Sequence, residues 1–193
     1  NYVDGKMHVN TSWDEDGHKK SETNYVDGKK HGLQTVWLKN GQKESETNWK
    51  DGKRHGLLTS WHENGQKKSE KHYTDGTQDH HMYIVYYSNG QKAWEDKYND
   101  GKLMTASSWL PDGSPCPLTN VKDGKGVWVK YHSNGQKARE DNYKNGKQHG
   151  LLTSWHENGQ KRWEGKYKDG KTHVSTSWDE DGHKKSETNY VDG

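Results

Sequence analysis

Most apolar residues in this chain stand singly, in pairs or at alternate positions, and polar turns interrupt them at short, regular intervals. Leu33-x-Thr35-x-Trp37 and Leu57-x-Thr59-x-Trp61 show the alternation that marks a half-buried strand. Asp-Gly or Asn-Gly pairs close on glycines at 5, 17, 28, 41, 52, 65, 76, 90, 101, 113, 124, 135, 146, 159, 170, 182 and 193, with gaps of 11 to 14 residues. Such pairs favour tight hairpin turns, because a type I′ turn needs positive φ at both central residues. Segments of about eight residues between them suit strands and are too short for stable helices. The pattern therefore predicts an all-β fold: an elongated antiparallel β-hairpin repeat array of eight units, each of about 24 residues, with up to sixteen strands. Open sheets rarely pass about ten strands without curling, so a superhelical sheet or solenoid is expected. One continuous array over 1–193 is the predicted organisation, with atypical units at 77–131.

Fixed positions recur inside the unit. An aromatic stands four residues before each inner glycine: Trp13, Trp37, Trp61, Tyr86, Trp109, Tyr131, Trp155 and Trp178. A second stands three before each outer glycine: Tyr25, Trp49, Tyr73, Tyr98, Tyr143, Tyr167 and Tyr190, with Val121 as the exception. A Glu lies six before that glycine at 22, 46, 70, 95, 140, 164 and 187, and Leu118 replaces it in the same deviant unit. A two-residue turn at Asn64-Gly65 would set Trp61 opposite Lys68, Thr59 opposite Glu70 and Leu57 opposite His72. It would also set Leu58 opposite Lys71 and Tyr73 over Gly56, an aromatic compensating for a strand glycine. The two aromatic sets then form ladders, one on each face.

Composition changes the picture in one respect. Leu, Ile, Val and Phe together number 20 of 193 residues, a content that by itself reads as disorder. The 10 Trp, 11 Tyr and regularly spaced glycines oppose that reading. A net charge of +2 leaves no basic stripe, so nucleic acid is not an expected partner. No apolar run approaches the roughly 20 residues of a membrane-spanning helix. A single Cys excludes an intrachain disulfide framework.

The pattern Tyr-x-Asp-Gly-Lys-x-His-Gly-Leu-x-Thr-x-Trp-x-x-Asn-Gly-Gln-Lys-x-x-Glu is plainest from Tyr25 to Glu46, and from Trp49 to Glu70 with Trp leading. It resembles the MORN-repeat variant family of bacteria. The resemblance implies hairpin repeats stacked into an elongated sheet. Relatives are labelled as interaction scaffolds, as lipid-associated proteins or as antitoxins, and none of these labels carries a residue-level motif.

Candidate chemistry is sparse. His8, His31, His55, His80 or His81, His149 and His173 follow outer turns, but neighbouring units would hold them roughly 9–10 Å apart, too far for shared ligation. Asp14-Glu15-Asp16-Gly17, repeated at Asp179 to Gly182, resembles a fragment of a calcium loop and reads better as turn chemistry. Cys116 has no histidine beside it in sequence. No nucleophile elbow, phosphate loop or carboxylate pair departs from the period, so neither enzyme activity nor a cofactor or metal is expected.

Departures from the period are the better guide to specificity. Met82-Tyr83-Ile84-Val85-Tyr86-Tyr87 is apolar on both faces, Pro111 to Pro117 interrupts a strand, and Val127-Trp128-Val129 arrives early. These pieces either pack at an internal bend or contact a partner, with Met82, Tyr83, Ile84, Val85, Tyr87 and Trp128 as the candidate contact. Residues 11–28 recur unchanged at 176–193, and 55–67 recur at 149–161, as in a window from a longer array. Sheet edges that resemble one another template end-to-end growth. The leading expectation is a non-enzymatic structural protein, a self-assembling fibre or surface scaffold located outside the cell or on its surface. The alternatives are a soluble protein-binding module such as a cytoplasmic antitoxin, contacting a partner through residues 82–131, and a glycan or cell-wall binder using its aromatic rows.

Overall fold

The computed structural model describes residues 7–190, apart from the side chains of residues 78–81. The gap at 78–81 leaves the side chains of His80 and His81 outside the described residues. All described regular structure is antiparallel β, with fifteen strands in two sheets and neither sheet closed. The chain forms two compact units, residues 1–90 and 91–193.

The first unit holds β1 (His8–Trp13), β2 (Lys19–Val26), β3 (Lys29–Trp37), β4 (Lys43–Lys50), β5 (Lys53–Trp61), β6 (Lys67–Thr74) and β7 (Thr77–Tyr86), each hydrogen-bonded to the next. The second holds the hairpin β8 (Lys92–Asn99) and β9 (Lys102–Ser108), then a six-stranded meander. That meander is β10 (Gly126–Tyr131), β11 (Lys137–Lys144), β12 (Lys147–Trp155), β13 (Lys161–Lys168), β14 (Lys171–Trp178) and β15 (Lys184–Asn189).

The two kinds of turn differ. At outer turns both central residues have positive φ, as in Asp27 (49°) and Gly28 (74°), and Val26 pairs with Lys29 across a two-residue type I′ loop. At inner turns only the glycine does, and the loop has three residues rather than two. In Lys39-Asn40-Gly41 the turn closes with Leu38 N–H donating to Gln42 O (2.8 Å) and Gly41 N–H to Leu38 O (2.9 Å). The Asn40 side chain accepts from Gln42 N–H at 3.0 Å, which holds the first two loop residues out of the type I′ conformation.

The longer loop shifts the pairing beside it and leaves the rest as expected. Gly56 opposes Tyr73, Leu57 His72, Leu58 Lys71 and Thr59 Glu70, but Trp61 opposes Lys67 instead of Lys68. Lys68 is the extra residue of a bulge, and the same irregularity precedes Trp13, Trp37, Tyr131, Trp155 and Trp178. In a plain strand, residues i and i+3 face opposite ways. The bulge turns them to one face, and Lys43–Glu46 (2.5 Å), Lys67–Glu70 (2.7 Å) and Lys161–Glu164 (2.6 Å) pair there, as do Lys19–Glu22 and Lys184–Glu187.

Sixteen segments give fifteen strands among the described residues. The segment after Gly113 makes only isolated bridges, Trp109 with Pro115 and Lys122 with Lys125. Pro111, Pro115 and Pro117 have no N–H to offer a ladder. Side chains replace the missing rungs along β10. Thr119 Oγ accepts from Val129 N–H (3.0 Å) and donates to Val129 O (3.1 Å), and Asn120 Oδ1 accepts from Val127 N–H at 2.7 Å.

Burial follows from the shortage of aliphatics. In the first unit the middle of the sheet buries Thr23, Thr35, Thr47, Thr59 and Ser69, flanked by Tyr73, Ile84 and Tyr87. The second unit has an apolar cluster of Leu103, Ala106, Val121 and Trp128, against which Trp94, Tyr98 and Tyr143 pack.

Candidate functional site

Successive hairpins are keyed to one another at both ends. At inner turns, His62 Nε2 lies 3.3 Å from Tyr86 O, and Asn64 Nδ2 donates to Ser88 O. His132 and Asn134 repeat this on Trp155 O (2.9 Å) and Glu157 O (2.7 Å), and His156 and Asn158 on Trp178 O (3.1 Å) and Glu180 O (2.7 Å). The glutamine after each Asn-Gly lies on the next turn's glycine: Gln42 on Gly65, Gln66 on Gly90, Gln136 on Gly159. At outer turns, Gly52 N–H donates to Lys30 O, Gly76 N–H to Arg54 O and Gly170 N–H to Gln148 O. His31–Asp51, His55–Asp75 and His149–Asp169 stand 3.4–3.5 Å apart beside them. Three of the candidate histidines are thereby placed in links between hairpins.

The inner aromatics meet lysines of the preceding hairpin. Lys19 Nζ lies 4.9 Å from the Trp37 ring centre, Lys43 5.7 Å from Trp61, Lys92 5.4 Å from Trp109, Lys137 5.7 Å from Trp155 and Lys161 5.8 Å from Trp178. Tyr86 donates instead to Glu70 at 2.5 Å, and Tyr131 Oη accepts from Cys116 Sγ at 3.6 Å. Trp13 is 60% exposed. Among the outer aromatics, Tyr25 stacks on His8, and Trp49 lies between Lys30 (4.4 Å) and Arg54 (5.8 Å). Arg54 also reaches Tyr73, Tyr143 tilts against Trp128, and Tyr167 tilts against Trp163, while Tyr190 is exposed. Each such cation–π contact adds about 0.5–1 kcal/mol at an exposed site.

Of the candidate partner contacts, Ile84 and Tyr87 are buried in the first unit and Trp128 in the second. Met82 is 42% exposed beside Leu57, and Tyr83 and Val85 are half-buried. Asp14 and Asp179 act in their own turns. Asp14 Oδ1 accepts from Asp16 and His18 N–H, and Asp179 Oδ1 from Asp181 and His183 N–H. The backbone bonds from His18 and His183 hold these two carboxyls below the usual range.

The most specialised surface lies in the second unit. The repeat places serine opposite serine immediately beside the bulge, as in Ser60–Ser69 (2.8 Å between hydroxyls) and Ser177–Ser186 (2.6 Å). At the equivalent positions the second unit carries Trp94, Lys130, Arg139 and Trp163. Lys130 stands opposite Arg139, Arg139 opposite Ser154, and Ser154 opposite Trp163, so one row crosses four strands. The row is part of the lining of a groove of about 660 Å³.

Two like charges directly opposed in a sheet destabilise it unless anions offset them. Asp96 and Asp141, at positions where four of the six other units carry Thr, supply those anions. Asp141 is buried and receives Arg139 through two bonds of 2.7 and 3.1 Å, with Gln148 Nε2 donating at 3.0 Å. The Lys130 ammonium sits 3.8 Å from the Trp128 ring centre and 4.5 Å from that of Trp94. Burial, then the Arg139 charge, pulls Lys130 down to about 8, against the opposing pull of Asp141 and Asp96. Burial and the same two carboxylates push Tyr98 up to about 12, and burial, then Asp141 and Tyr98, raise Tyr143. Sequence reading passed over Lys130, Arg139, Asp96, Asp141 and Trp163, although each replaces a Ser or Thr of the repeat.

Fold and surface together define a tandem β-hairpin repeat protein whose units are keyed by their turns. The MORN repeat variant family matches residues 30–51, 54–75, 125–145 and 148–171. The chain therefore carries MORN repeats of the variant type, four matched in two adjacent pairs, a repeat typical of non-enzymatic binding or scaffold modules. No curated protein matches the chain significantly.

Proposed function

We propose that the protein is a non-enzymatic structural scaffold that gains length by adding hairpins, within one chain or between copies of it. One observation carries this reading: the same turn-to-turn link recurs at three inner turns. His132 and Asn134 bond the carbonyls of the next turn just as His156 and Asn158 do one unit on. A link of this kind does not depend on which chain supplies the next turn. Stability then approximates a sum of nearest-neighbour terms, the energetics of stacked repeats.

Sedimentation velocity and negative-stain electron microscopy of the chain over a hundredfold concentration range test assembly between copies. The expected result is mass action toward longer particles of constant width. A single species at every concentration would contradict self-assembly. The reading would then pass to a binding module, for which the exposed Met82 beside Leu57 is the supporting observation.

A further inference from the structure

We infer that the groove of the second unit is a binding site for an acidic oligosaccharide, one whose sugar rings carry carboxylates, as uronic acids do. The argument begins with the row Lys130–Arg139–Ser154–Trp163. Strands in a sheet lie about 4.8 Å apart, so Arg139 and Trp163 are roughly 10 Å apart at the backbone. Only the small Ser154 stands between them. The row thus offers a cationic end, a gap and an indole. A ring stacked on Trp163 can direct a carboxylate across Ser154 toward Arg139 and Lys130.

The charges suit such a ligand. No carboxylate among the described residues lines the groove, and the anions that balance the row, Asp96 and Asp141, are buried. Arg162 lines the same groove, is exposed, and makes no ion pair among the described residues. Lys130 contacts two indoles and, among the described residues, pairs with no carboxylate within 4 Å. A guanidinium and a carboxylate form paired, charge-assisted hydrogen bonds, which favours the carboxylate over a neutral hydroxyl.

Sheet geometry argues for rings over peptide. The main-chain groups of β11 and β12 are committed to ladders on both sides, so the groove cannot take an added strand. It presents side chains only, and its indoles, Trp94, Trp155 and Trp163, are partly exposed. The equivalent row of the first unit reads Ser12, Ser21, Val36, Ser45, Ser60 and Ser69, with no cation and no aromatic. The site is therefore a departure from the repeat and not a property of it. It stands independently of whether copies of the chain assemble.

The test is a tryptophan-fluorescence and calorimetric titration of the full chain with a galacturonic acid tetramer. Cellotetraose serves as the neutral control and tetraglutamate as the peptide control. Saturable binding of the uronate, at least tenfold tighter than either control, is expected. Trp163→Ser places there the residue that four of the eight units carry, so the fold is expected to tolerate it. It should weaken uronate binding at least tenfold, and Arg162→Gln should weaken it severalfold. Absence of saturable uronate binding would overturn the inference, as would a Trp163→Ser variant that binds undiminished. Tighter binding of tetraglutamate would overturn it in favour of an acidic peptide.

Discussion

At the scale of the residue, glycine positions that share a positive φ are not equivalent. Gly135 (φ 83°) has no heavy atom within 4 Å of where a Cβ would stand. A Cβ on Gly146 (φ 74°) would lie 2.5 Å from Lys102 Cβ and 3.0 Å from Leu103 O. There the turns approach backbone to backbone, with Gly146 N–H donating to Gly124 O and Gly146 O accepting from Leu103 N–H. Gly135→Ala should therefore cost about 1 kcal/mol for the left-handed backbone alone, and Gly146→Ala about twice that or more. Urea denaturation of the two variants checks the order.

Titration of the buried charges also belongs to this scale. Lys130 titrates near 8 in the folded chain against an ordinary 10.5, so between those values the unfolded chain binds more protons and stability rises with pH. Tyr98 keeps its proton to about 12 against an ordinary 10.0, so above 10 the folded chain binds more protons and stability falls. The melting temperature should climb from pH 8 to about 10 and then drop. Lys130→Met should remove the climb and leave the drop. A wild-type melting temperature that falls steadily across pH 8–10 would contradict this assignment.

At the scale of the element, the inner turn is the device that organises each hairpin. Asn134 accepts from Gln136 N–H at 3.0 Å to fix its own loop, and donates to Glu157 O at 2.7 Å to hold the next. Replacing Asn134 with Ala removes both bonds and should cost about 1–3 kcal/mol, measured by chemical denaturation. Asn40 makes only the first of these bonds among those described, so Asn40→Ala should cost roughly half as much.

Much of this level was legible in the sequence. The Asp-Gly and Asn-Gly pairs located the hairpins, and the period located the aromatics and the Glu of each Lys–Glu pair. The bulge was not legible, because whether Asn-Gly closes a loop of two or three residues depends on the asparagine side chain. That choice decides whether Lys67 or Lys68 meets Trp61. The groove was hidden for a different reason. Its residues are informative only when each unit is compared position by position, where Trp94, Lys130, Arg139 and Trp163 replace serine or valine and Asp96 and Asp141 mostly replace threonine. Read singly, an Asp or a Lys in a chain that is 30% charged attracts no notice.

At the scale of the whole molecule, a chain with 25% hydrophobic residues stays folded by repetition and not by one large core. Buried threonines, Lys–Glu pairs over indoles and turn-to-turn hydrogen bonds each contribute little, and each recurs in unit after unit. Because the links between inner turns join adjacent hairpins, damage at one such link should stay local. Hydrogen exchange followed by mass spectrometry, comparing the wild-type chain with Asn134→Ala, tests this most directly. The account predicts faster exchange in peptides covering residues 126–160 and unchanged protection across residues 19–74. A uniform loss of protection along the whole chain would contradict it, and would show that the hairpins fold as one cooperative body.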